Sequence, residues 1–368
     1  MKVKNNYNEC LTNLANSIRK YFEIETKHNT LDYIDKILEE KQPKNVIVML
    51  FDGMGSRMLD RTLNQDDFFR VNKYKDITTV FPATTTAATQ SMRSGLNPVE
   101  HGWLGWYTYL QPIDKTITLF LNNEKGTSEP CQEYLNIKDD VLYQDFIPSL
   151  INKEGKYKSI ELFPFGPEAY DNLDDLLKKI KIESQKDGRK YIYAYDDQPD
   201  AAMHENGPDS LIAQQLIKER NTKVEKLCSE LEDSLIIIIA DHGHIKVDPI
   251  FLKDYPSINN LLERTTGLEQ RAIAFKVING KQEEFALNFN KELGEYFTLY
   301  TSQDIIDSKL FGDGIENPIF RPALGDFVAI AESSNKCLVE EGDDLLVSQH
   351  AGYTEDEIYV PLIIVDKK

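Results

Sequence analysis

The sequence predicts an α/β fold, a three-layer α/β/α sandwich around a central, mostly parallel sheet with a small α+β subdomain inserted. Three observations predict it. Apolar runs of strand length recur along the chain, each bordering a polar turn that carries glycine or an acid. Stretches with helical spacing separate these runs, the alternation expected of a layered α/β domain. Between residues 245 and 345 the pattern changes to shorter, mixed elements.

In order along the chain, Leu11, Leu14, Ala15 and Ile18, then Leu31, Ile34, Ile37 and Leu38, predict a helical segment over residues 1–44 packed on the core. "NVIVML" (45–50) is apolar on both faces, as a strand in the middle of a sheet must be, and it ends at "FDGMG". "KYIYAY" (190–195) leads into "DDQPDAAMHENGP", and "SLIIIIA" (234–240) leads into "DHGH". Helices are expected over about 171–185 and 209–231, the second on the stripe Leu211, Ile212, Leu216, Val224 and Leu227. Within 245–345, "RAIAFKVI" and "DFVAIAE" read as strands and "KQEEFALNFNKELGEYF" as a helix, an inserted α+β cap. "SQHAGYTEDEIY" then returns the chain to a last strand, "VPLIIVD" (360–366), so that 45–244 and 346–368 form one core.

A chain of 368 residues is long enough to bury about 75% of the surface its unfolded form exposes. The net charge of −19 repels polyanions, which disfavours a nucleic-acid duplex or an anionic membrane as partner. It leaves room for a small anionic substrate held by metal ions, and leaves a homo-oligomer open. Cys10, Cys131, Cys228 and Cys337 show no paired metal-binding spacing and read as reduced thiols. With no signal-like or membrane-spanning apolar stretch, the expected location is cytoplasmic.

Acids stand at or just past three strand ends: Asp52, Asp200 and Asp241. Ligands of open α/β sheets gather beyond the carboxyl ends of strands, and carboxylates converging there repel one another unless a cation neutralises them. Histidines accompany these acids. Asp200 and His204 are one helical turn apart, His242 follows Asp241, and His350 stands in a glycine-containing turn. Carboxylate with imidazole suits zinc or another first-row divalent metal, whereas magnesium and calcium prefer oxygen throughout. Any one of these residues is commonly a turn-former, a helix cap or a solvated side chain; the recurrence at successive strand exits is what points to a metal centre.

"VIVMLFDGMG", "FPATTTAATQSMRSGLNPVEHGW", "PDAAMHENGP", "IIIIADHGH" and "SQHAGYTEDEIYVPLIIV", in this order, resemble the alkaline phosphatase superfamily, and within it the type I phosphodiesterase/nucleotide pyrophosphatase family. The resemblance implies an alkaline-phosphatase-like sandwich and two divalent metal ions, zinc or manganese. Asp200, His204 and His350 would bind one metal, and Asp52, Asp241 and His242 the other, with Thr85 completing that second site. It also implies hydrolysis of phosphodiester or pyrophosphate bonds in a small phosphorylated substrate.

The nucleophile follows from register within that resemblance. Ten residues before Gly95 of "SGLNPVEHG", and after the pair Phe81-Pro82, stands Thr85. Metal coordination would favour its alkoxide, which attacks phosphorus to give a phospho-threonine intermediate that water then hydrolyses. Thr84, Thr86 and Thr89 are expected to pack or cap.

The chain departs from the family pattern at several points. Trp106 stands where an asparagine would bind a phosphate oxygen, and Thr86 where an aromatic would stack on a nucleobase. Trp103, Trp106, Tyr107 and Tyr109 offer an alternative stacking surface or ordinary core. His101 is read as stabilising its turn, His244 as orienting a ligand and His28 as a surface residue. Monoesters or phosphonates are the neighbouring substrate classes, and a non-catalytic metal-binding homologue is the rival of another kind. A sulfatase or a metal-dependent phosphoglycerate mutase is disfavoured, because the nucleophile segment offers threonines where those families need cysteine or serine.

Overall fold

The computed structural model describes residues 5–166 and 169–368. Its central sheet has six strands, in spatial order Lys73–Thr78, Tyr359–Lys367, Ser234–Ile239, Asn45–Phe51, Lys190–Asp196 and Lys158–Leu162. The four strands from Ser234–Ile239 to Lys158–Leu162 pair in parallel, and Tyr359–Lys367 runs antiparallel to both its neighbours. The three central parallel strands are buried at every position, which is why each reads as a largely apolar run. Helices pack in two groups, Leu11–Tyr21 with Asp32–Lys41 and Thr85–Ser94, and Leu173–Gln185 with Leu211–Glu230 and Ser56–Thr62. This is the α/β/α sandwich the pattern predicts.

The N-terminal helices are integral to it. Leu11, Leu14, Ile18, Ile34 and Leu38 join the same apolar core as the central strands. Asn16 Nδ2 and Arg19 Nη1 each donate at 2.8 Å to carbonyls at the end of Thr85–Ser94, those of Gly95 and Ser94. Gly95 closes that helix at φ +75, and a Cβ there would meet Arg19 Cδ at 2.8 Å. The helix that presents Thr85 is therefore held from its far end.

A second, seven-stranded sheet departs from the expected insertion. It contains Gly267–Leu268, Ala272–Phe275, Phe327–Ile330 and Thr298–Thr301, but also Tyr107–Leu110, Lys115–Thr118 and Asn123–Glu124 from the stretch assigned to the core. Those three strands have two to four residues each, too few to impose an alternating pattern on the sequence. A buried ion pair, Arg271 with Glu357, ties the residue before Ala272–Phe275 of this sheet to the helical turn before Tyr359–Lys367 of the central one, both side chains being fully inaccessible.

Candidate active site

The strand exits converge as the sequence suggests. Asp52 follows Asn45–Phe51, Asp241 lies just beyond Ser234–Ile239, and Asp200 opens the short helix Asp200–Asn206 that also carries His204. Ile245–Lys246 and Ser348–Gln349 pair as an antiparallel ladder, which brings His244 and His350 together from distant parts of the chain. Gly243 allows the close approach: a Cβ there would lie 2.0 Å from the Asp356 carbonyl oxygen.

Thr85 is the first residue of helix Thr85–Ser94, at the positive end of its dipole, where an anionic phosphoryl group is favoured. Its Oγ1 is 3.2 and 3.3 Å from the two carboxylate oxygens of Asp52 and 3.1 Å from His242 Nε2. His242 Nε2 is in turn 3.3 Å from Asp52 Oδ1 and 3.7 Å from Asp241 Oδ2. Asp241 Oδ1 accepts from the Gly53 and His242 amides at 3.0 Å, while its buried Oδ2 has no hydrogen-bond partner. A few ångströms away, His204 Nε2 is 3.3 Å from Asp200 Oδ2, and His244 Nε2 contacts Asp200 Oδ1. Donor atoms of Asp200, His204, His244 and His350 lie within 4.8 Å of one another, as do those of Asp52, Asp200 and His242. The His242 and His350 rings stack at 3.8 Å across the seam between the two groups.

Hydrogen placement decides what this cluster is for. His204, His242 and His350 each point Nδ1 at a carbonyl, of Ser348 (2.8 Å), Gly243 (3.2 Å) and Ala83 (3.0 Å). A carbonyl only accepts, so each Nδ1 carries a hydrogen, and each Nε2 is the atom free to offer a lone pair to a cation. On His204 and His242 that atom faces carboxylate oxygens. A divalent cation between them would satisfy both, and would satisfy the orphaned Asp241 Oδ2 as well. Burial opposes charging His204, but Asp200 outweighs it and draws that imidazole up to about 9. Burial and the neighbouring Asp200 hold Asp52 well above the usual carboxylate range, and burial and Asp52 do the same to Asp241. Burial opposes ionisation of Asp200 as well, yet His204 and His244 hold it well below that range. His350 is held well below the usual imidazole value by burial and by His242. The donor set thus fits divalent cations.

Two participants carried no sequence signal of function. Tyr195 donates its hydroxyl hydrogen to Asp52 Oδ2 from the end of strand Lys190–Asp196, where alternate tyrosines share one face. Glu269, buried in the turn between Gly267–Leu268 and Ala272–Phe275, accepts from Thr84 Oγ1 at 2.6 Å and from the Trp106 amide at 2.7 Å, and burial pushes it up to about 7. It holds Trp106 at the position where the family pattern would place asparagine. His101 lies apart and serves its turn: Nδ1 accepts from the Trp103 amide, which leaves Nε2 to donate to Ser91 Oγ. His28, expected at the surface, is instead half-buried, 2.5 Å from Glu100 Oε2.

Beside Thr85 opens a cavity of about 580 Å³ whose walls include Trp103, Trp106, Phe120, Phe146, Phe163 and Phe165. Thr86 is fully buried and does not reach it; Tyr107 lines the smaller neighbouring cavity, and Tyr109 lies against Arg264. The aromatic wall therefore comes from elements other than the one the family pattern uses.

The sandwich and its Asp/His cluster define an alkaline-phosphatase-like hydrolase of phosphoric esters. The sequence matches the model of the type I phosphodiesterase / nucleotide pyrophosphatase family over residues 46–354, and the chain belongs to that family. No curated protein matches the sequence. Among solved structures, murine ectonucleotide pyrophosphatase / phosphodiesterase 5 in complex with AMP, described as an inactive threonine-to-alanine variant, is similar at TM-score 0.64 and 18% identity. The likeness covers 86% of this chain and 87% of that one. The human protein of the same name aligns at TM-score 0.63 and 18% identity over 87% of each chain.

Proposed function

We propose that this enzyme cleaves phosphodiester or pyrophosphate bonds of small nucleotide-type substrates by double displacement, with Thr85 as nucleophile and two divalent cations. The convergence of imidazole nitrogens and carboxylate oxygens beside Thr85 Oγ1 carries the proposal. The cations would be held by Asp200, His204 and His350 and by Asp52, Asp241, His242 and Thr85; when bound they lower the pKa of a coordinated hydroxyl or water. Thr85 Oγ1, aimed from the helix start, attacks phosphorus and forms a threonyl phosphoester as the first leaving group departs. If the substrate is a diester, the adduct keeps the second ester group. Water then breaks the Oγ1–P bond and restores the hydroxyl. Tyr195 orients Asp52, and the carbonyls of Ser348, Gly243 and Ala83 fix the imidazoles. The inactivity of the murine relative's threonine-to-alanine variant supports the assignment of Thr85.

The direct test is hydrolysis of an aryl phosphodiester by metal-replete protein. EDTA should abolish it, and zinc or manganese should restore it. Turnover that survives full metal removal would sink the reading. The aromatic cavity favours a flat leaving or retained group, so Phe163→Ala should raise KM for an aryl or nucleotide diester by about tenfold while sparing kcat. An unchanged KM would remove that cavity from substrate binding. The four buried, unpaired cysteines favour a reducing, cytoplasmic location. Among the described residues no helix is long and apolar enough to cross a membrane.

A further inference from the structure

We infer that His244 donates its Nε2 as a fourth protein ligand to the cation of Asp200, His204 and His350, so that the two halves of the centre differ in donor chemistry and in how firmly they hold metal. This rests on the two-metal reading above and goes beyond it, since the family resemblance gives that cation three ligands and leaves His244 in a supporting place.

Ser348 Oγ is 2.6 Å from the Met203 carbonyl oxygen, which only accepts, so the single hydroxyl hydrogen is committed there. At its 3.0 Å contact with His244 Nδ1, Oγ must then accept, and Nδ1 must carry the hydrogen. His244 Nε2 is then the ring atom that can offer a lone pair, and it is this atom that meets Asp200 Oδ1. Donor atoms of Asp200, His204, His244 and His350 all lie within 4.8 Å of one another, so one cation can meet all four. The same strand ladder that delivers His350 delivers His244, and Ser348 fixes two imidazoles at once, His204 through its carbonyl and His244 through its hydroxyl.

With His244 included, one half of the centre offers three imidazole nitrogens and one carboxylate, the other two carboxylates, a hydroxyl and one imidazole. The nitrogen-rich half suits zinc and the later first-row metals, whereas the oxygen-rich half tolerates manganese. A zinc ion held there would have four protein ligands, where the resemblance implies three.

The test is metal retention against increasing chelator concentration, read by elemental analysis on wild type, His244→Asn and Ser348→Ala. Wild type should lose one metal early and keep the other to a chelator concentration at least about 100-fold higher. In His244→Asn the late loss should move down by at least about 100-fold, and in Ser348→Ala, which frees the tautomer but keeps the ring, by about 10-fold. A His244→Asn curve that overlies wild type overturns the assignment. Wild-type protein that holds no metal overturns the two-metal reading and this inference with it, a distinguishable failure. Should His244→Asn not fold, cobalt-substituted Ser348→Ala decides: a shifted visible absorption supports ligation by His244, and a spectrum identical to wild type refutes it.

Discussion

Thr85→Ala is expected to lower kcat by about 10³-fold or more, the scale on which hydrolases lose turnover with their nucleophile, while metal content stays at the wild-type level. The expectation follows from where Oγ1 lies. It is 3.1 Å from His242 Nε2 and 3.2 Å from an Asp52 oxygen, so removing it deletes the attacking atom and spares every carboxylate and imidazole of the centre. The helix around it is anchored at its far end by Arg19 and Asn16, so the backbone has no reason to move. Thr84→Ala is the control. Its hydroxyl is committed to Glu269, and its loss should cost about 1–3 kcal/mol of stability with turnover largely retained. Substantial residual activity in Thr85→Ala, or the reverse order of the two variants, would refute the register. Steady-state kinetics alongside elemental analysis makes the comparison.

Arg271→Ala should be the most destabilising single change at the join of the two sheets, by about 3–5 kcal/mol in denaturant unfolding. Both partners are fully buried, and Arg271 Nε and Nη2 engage the two oxygens of Glu357 at 2.6 and 2.9 Å. Removing the guanidinium strands a buried carboxylate; replacing both residues by apolar ones of similar size, as in Arg271→Met with Glu357→Leu, should cost much less. Glu357 also accepts from the Gly352 amide and from the Thr354 hydroxyl, both at 2.8 Å, which fixes the turn leaving His350. The variant should therefore lose metal more readily as well as unfold earlier. Burial would raise the Glu357 carboxyl, but Arg271 holds it below the ordinary carboxylate range. A depressed carboxylate stabilises fully above its unfolded value and ceases to do so as pH falls through the folded one, so the wild-type advantage over Arg271→Ala should shrink on acidification below about pH 4. An advantage that grows toward acid would contradict this.

What was legible in the sequence followed from burial. Asn45–Phe51, Lys190–Asp196, Ser234–Ile239 and Tyr359–Lys367 occupy the interior of the sheet and so are apolar almost without break. Lys73–Thr78 and Lys158–Leu162 are its edges, and their half-exposed, mixed residues gave no comparable pattern. Asp52, Asp200 and Asp241 announced themselves because strand exits are where a parallel sheet gathers ligands. Tyr195, Glu269 and the placement of His244 were hidden because each acts through partners far away in sequence: Tyr195 with Asp52, Glu269 with Thr84, His244 with Ser348. The aromatic cavity was hidden for the same reason, since Trp106 and Phe163 meet only across the two sheets' connections.

The stereochemical course at phosphorus tests the double displacement through Thr85 most directly. Hydrolysis of a P-chiral phosphorothioate diester in heavy-oxygen water should proceed with net retention, the product of two successive in-line inversions. Net inversion would mean that water attacks the substrate directly and that Thr85 is not the nucleophile.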